Sequence, residues 1–153
     1  MMRKFFADVS ALEGVEAVVL FDNQNRVMDS WMTPRYNAGI FGEVGETFQH
    51  IFGLMEHLEA GVEELVVPFD RGQVYARGHA RFVLVVIARL QVEVSLIRLA
   101  TEVCLQRFLE DRKTQRQLKK LPEKKFYEIK SIRLDDVEKI MLETILEDRD
   151  GGS

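Results

Sequence analysis

Three histidines, one cysteine and a few serines are the side chains of this 153-residue chain best suited to chemistry. His50 and His57 stand seven apart on the polar side of a helical pattern. Two turns separate them, ~10.5 Å along the axis, too far to share one metal by themselves. His79 falls in a strand pattern, so solvated or packed histidines are expected and a metal site is not. Cys104 lies on the apolar face of a helical pattern, which suits a core residue better than a nucleophile. As the lone cysteine it also excludes an intrachain disulfide framework. Ser10, Ser30 and Ser95 have no nucleophile-elbow context, and no glycine-rich phosphate loop occurs. An arginine that completes a GTPase site would have to be one near a turn. Arg35, Arg71, Arg77 and Arg81 qualify by position, but nothing marks any of them, and a solvated arginine is expected at each. No catalytic residue and no cofactor is expected.

The elements that would carry these residues follow from periodicity and breakers. A short helix is expected over Lys4–Leu12, with Phe5, Val9 and Leu12 on one stripe and Gly14 as its stop. "EAVVLFD" and "RVMDSWM" read as two strands around a "DNQN" turn, where Asn25 tolerates left-handed backbone. Residues 39–58 carry a wide apolar arc from Ile40 to Leu58 at 100° per residue, a helix ending near Gly61. "EELVVPF", "QVYARGHA" and "RFVLVVIAR" read as three more strands. The last is apolar almost throughout, which places it centrally with both faces covered. "VEVSLIRLATEVCLQRFLEDR" is a helix whose expected inner face is Leu96, Ile97, Ala100, Val103, Cys104 and Phe108. Asp135, with Glu138 three residues on, caps a final amphipathic helix over about 136–149. This order predicts an α/β sandwich around one five-stranded antiparallel sheet flanked by helices, with an appended C-terminal helix.

Two stretches look like contact surfaces. On the helix over 39–58, Gly42, Gly45, Gln49 and Gly53, with Glu56 beside them, fall within ~80° of one another. Glycine costs a helix interior about 1 kcal/mol against alanine, and a face stripped of side chains lets another helix approach closely. The competing reading is that Gly42 precedes the helix and the others are incidental. The second stretch is "EELVVPF". Pro68 lacks a donor and suits a sheet edge, where Leu65, Val67 and Phe69 would flank free backbone groups able to pair with another strand.

Charge divides the chain. Residues 1–111 hold ten Lys/Arg and sixteen Asp/Glu, 112–133 nine and two, and 134–153 two and seven. Three parts are therefore expected: a domain over 1–111, a basic linker over 112–133, and an acidic C-terminal helix and tail over 134–153. A net charge of −4 disfavours global attraction to nucleic acid. The basic linker has only Phe126 and Tyr127 to stack on bases, so a charged connection complementing the acidic body or tail is the simpler reading. No apolar run reaches the ~18 residues of a membrane span, and Asp8, Glu13 and Glu16 interrupt the N-terminal stretch, so a cytoplasmic protein is expected.

"LEGVEAVVLFDNQNRVMDS" resembles the opening hairpin of the roadblock/dynein light chain domain. "EELVVPFDRGQVYARGHARFVLVVIARLQVEVSLIRLATE" resembles its second half, so the likeness spans about residues 4–110. There are two departures: Asn25 stands in the hairpin turn where the family commonly has glycine, and residues from about 112 onward lie outside the domain, so nothing carries over to them. The resemblance implies a profilin-like fold that dimerises, with edge strands paired and the helices after the first hairpin lying together. It implies no catalytic residues. Bacterial members typically serve small Ras-like GTPases as activators or binding platforms; other members are structural light chains. A homodimeric GTPase regulator is thus the leading expectation. A structural adaptor without effect on nucleotide turnover is the alternative, and a small-ligand sensor a weaker third.

Overall fold

The computed structural model describes residues 1–24, 26–33, 63–70 and 72–122. The helix expected over 39–58, the turn residue Asn25 and the helix expected over 136–149 lie outside them. Within them the chain forms α1 (Met2–Phe5), α2 (Ala7–Ser10), β1 (Val15–Asp22), β2 (Val27–Met32), β3 (Glu63–Phe69), β4 (Gly72–Gly78), β5 (Phe82–Ala88), α3 (Val94–Glu110) and α4 (Arg112–Lys119). The five strands make one antiparallel sheet in the order β2-β1-β5-β4-β3.

The apolar run of β5 explains that order. All seven of its residues are buried, and only a central strand has both faces covered along its length. β3, the strand with the proline, is an edge. Registers carry one row of side chains straight across the sheet: Trp31, Val18, Val86, Tyr75 and Val66. The next row on that face is Asp29, Leu20, Leu84, Arg77 and Glu64. Both rows are apolar in the middle, and the second turns charged toward each edge. α3 closes this face with Ile97, Thr101, Cys104, Leu105 and Phe108, all buried.

Two expectations about helices change. The first helix is not continuous. It breaks at Phe6 (φ −111°, ψ 15°), which is wholly buried, while Phe5 and Leu12 are half-buried. The Phe6 ring lies 5.3 Å from that of Phe108, and the break turns it inward. Burial of an aromatic ring outweighs a turn of regular helix at a chain end. On α3 the inner face is rotated from the expected one: Ile97, Cys104 and Phe108 are inside, but Leu96 and Val103 are 49% and 40% exposed. Buried Thr101 takes a place that an apolar count passes over.

A third difference concerns the basic linker. Residues 112–119 are helix, not connection. Asp111 caps it, accepting from the Thr114 N–H and hydroxyl at 3.0 Å each, and Leu118 is buried in the main core. The Leu121 and Pro122 carbonyls then accept from Arg81 and from the Asn23 side chain (2.8 Å to Pro122). A helix therefore does follow the sandwich, beginning where the linker was placed.

Gly14, expected as a helix stop, has φ +94°, and a Cβ there would lie 2.4 Å from Val92 Cγ2. Only glycine meets both conditions without strain.

Candidate interaction surface

The surface is built on β3. Its inner edge pairs with β4 from Glu63↔Gly78 to Phe69↔Gly72, and among the described residues its outer edge has no strand partner. Leu65, Val67 and Phe69 project to one face and are half-buried; Val66 and Pro68 are exposed on the other. Gly42, Gly45, Gln49, Gly53 and Glu56 lie outside the described residues.

The strand is tied to the helix above it by five polar side chains. β3–β4 register sets Glu64 opposite Arg77, one row from Tyr75. Arg98 and Glu102, one turn apart on α3, overhang that corner. Arg98 grips Glu64 with both prongs: Nε donates to Oε1 and Oε2 (2.9 and 2.8 Å) and Nη2 to Oε1 (2.7 Å). The Tyr75 hydroxyl donates to Glu64 Oε2 (2.7 Å), and Arg77 Nη1 donates weakly to that hydroxyl (3.4 Å). The other Arg77 prong pairs with Glu102.

Electrostatics follow geometry. The hydrogen bonds from Arg98 hold the Glu64 carboxyl below its ordinary range, against partial burial. Burial, then the bond to Glu64, pushes the Tyr75 hydroxyl up to about 12. Arg77 keeps its charge, because Tyr75 and Glu102 outweigh the burial that opposes it. Its Nε is buried without a partner. The expectation of a solvated Arg77 was therefore wrong: its side chain is only 14% exposed. Arg35 and Arg71 lie outside the described residues, and Arg81 serves as a tether between turns.

This arrangement moves no protons and offers no nucleophile; it fixes the start of an edge strand against a helix. Sequence reasoning singled out Arg77 by position but not its partners, and missed the other four network residues. One signal was present: Arg98 and Glu102 are an i, i+4 pair of opposite charges on a helix otherwise rich in apolar residues.

Of the other reactive side chains, Cys104 and His79 are structural, and His50 and His57 lie outside the described residues. Cys104 is buried, and burial raises its thiol. His79 stacks on Phe82 at 4.6 Å, and its Nδ1 accepts from the Arg81 backbone N–H at 3.2 Å. Burial, and then Arg81, lower its affinity for a proton. Among the described residues no three His, Cys, Asp or Glu converge as a metal site, and no helix is long and apolar enough to cross a membrane. A cleft of about 470 Å³ opens between Leu12, Gly14, Arg89, Val92 and Leu96. Arg89 is committed there to Glu16 at 2.8 Å.

No family model and no curated protein matches the sequence. Solved structures do match the fold. MglC from Myxococcus xanthus gives a TM-score of 0.58 at 17% identity, covering 69% of this chain and 94% of that one. A structure of MglB with tetrameric arrangement gives 0.51 at 13%, covering 76% and 88%. A Roadblock/LC7 domain from Streptomyces avermitilis gives 0.48 at 13%, covering 70% and 92%. The chain thus shares its five-stranded α/β fold with MglC and MglB. At these identities the likeness is one of fold.

Proposed function

We propose that this chain is a non-catalytic homodimer that serves as a regulator or binding platform for a small Ras-like GTPase. The observation that carries the reading is the outer edge of β3, free among the described residues and apolar on both flanks. Such an edge is a template for another strand. A second copy related by a twofold axis would satisfy the backbone groups of β3 and cover Leu65, Val66, Val67 and Phe69. The Glu64–Arg98 clamp supports this use, because it fixes the strand before any partner arrives and so lowers the ordering cost of association. The face of Gly42, Gly45, Gln49, Gly53 and Glu56 belongs to the same proposal as the adjoining close contact. Self-association is also supported by the tetrameric arrangement described for MglB, which shares the fold. The GTPase comes from the resemblance of the two hairpin segments to roadblock domains.

The test has two stages. Light scattering on the purified chain should give twice its mass; a monomer at micromolar concentration would overturn the proposal. Addition to a Ras-like GTPase recovered from native extract should then change the rate of GTP hydrolysis. Binding with an unchanged rate would instead establish the structural adaptor.

A further inference from the structure

Five cations lie on or beside α4: Arg112, Lys113, Arg116, Lys119 and Lys120, all exposed. At 100° per residue they fall within an arc of ~120°, opposite the Thr114 and Leu118 positions by which the helix is anchored. Among the described residues none of the five has an acidic partner; the nearby Asp111 is taken by Thr114 and by Lys4 at 3.7 Å. Arg116 stands one turn from each of the other four, and like charges at that spacing destabilise a helix. The helix sustains this repulsion while held at its start by a cap and past its end by the Arg81 and Asn23 tethers. A face of positive charge without an acidic partner among the described residues, on a helix anchored at both ends, can receive an anion of matching length.

The chain carries such an anion. Residues 134–153 hold seven acids and two bases, a net −5 against the five cations. On the helix that the sequence predicts over 136–149, Asp136, Glu143 and Glu147 share an arc of ~40° and span ~16 Å, against ~12 Å from Arg112 to Lys120. The reach suffices, because the chain leaves α4 at the anchored Pro122 and the eleven residues 123–133 extend up to ~36 Å. We infer that the acidic stripe of residues 136–147 docks in cis on the basic face of α4. The contact masks that face from other anionic surfaces, and an acidic partner must displace the chain's own segment. This does not rest on the proposed dimer or on a GTPase.

Zero-length carbodiimide coupling of the full chain, read by peptide mass spectrometry, tests it. The reagent joins lysine Nζ to a carboxyl only where the two touch. Lys113, Lys119 and Lys120 should couple to Asp136, Glu143 and Glu147 within one chain, as shown by mixing isotope-labelled and unlabelled protein. Raising NaCl to 0.5 M should abolish the products, since screening acts over less than ~5 Å there. Arg116→Gln neither removes nor adds a coupling group and should cut their yield several-fold, with the circular dichroism spectrum unchanged. Products solely between chains, or a yield indifferent to salt and to Arg116→Gln, would overturn the inference. So would binding of phosphatidylserine vesicles or duplex DNA as tight for the natural chain as for Glu143→Gln/Glu147→Gln, because the basic face would then be free.

Discussion

Replacing Tyr75 by Phe removes one oxygen from the β3–α3 corner and leaves the buried ring in place. The hydroxyl donates to the ionised Glu64 at 2.7 Å, and bonds to charged groups are worth ~1.5–3 kcal/mol. The lower end applies. Glu64 keeps Arg98 and is 30% exposed, so water replaces part of what is lost. Tyr75→Phe should therefore cost about 1.5 kcal/mol near neutral pH. Burial of the hydroxyl, and then this bond, leave a signature in alkali. The folded hydroxyl ionises at about 12 rather than the ordinary 10.0. A group whose folded pKa is raised contributes fully below its unfolded value and loses that contribution as pH climbs toward the folded one. From about pH 10 the unfolded chain sheds the Tyr75 proton first, and the natural protein loses ~1.4 kcal/mol per pH unit from this group. The phenylalanine variant has no such loss, so the gap between the two should close near pH 11. Urea unfolding followed by circular dichroism, at one protein concentration and in half-unit steps from pH 7.5 to 11, measures the gap directly. The remaining tyrosines and the lysines titrate in both proteins and cancel in the difference. A gap that stays constant across this range would refute the reasoning, because the hydroxyl could then be neither buried nor bonded to a charged acceptor.

Gly14→Ala should cost about 2 kcal/mol through its positive φ and the Val92 collision, and Val92→Ala in the same chain should restore part of it in a urea titration. Leu118→Ala should cost about 2 kcal/mol by opening the seat of α4 in the core; a loss near zero would mean that residues 112–119 are connection after all. Gly53→Leu should weaken self-association in analytical ultracentrifugation, and an unchanged mass would reject the glycine face as a contact.

Much of the fold was legible because it rests on local rules. Phe82 to Ala88 could only be a central strand, and Pro68 could only sit at an edge, since its ring leaves a hole in any ladder that needs a donor. Gly14 marked the place where the chain must turn. The helix rotation on α3 was less legible. Its apolar residues run nearly all the way round, so counting them leaves the phase open, and the Phe6 and Phe82 rings against Phe108 choose it. Asp22 was legible only as the first residue of the DNQN turn. Its carboxylate accepts from the Gln24 and Arg26 backbone N–H groups and so closes the first hairpin from within.

By itself the sequence determined which stretches could be strand or helix, which strand needed cover on both faces, and the division of charge along the chain, because each depends on neighbours within a few residues. Tertiary structure alone decided that Glu64, Tyr75, Arg77, Arg98 and Glu102 meet at one corner, and that the first basic residues after the domain form a docked helix. Both depend on registers and packing between segments far apart in the chain, and one arginine looks like another until a fold has brought a carboxylate to it.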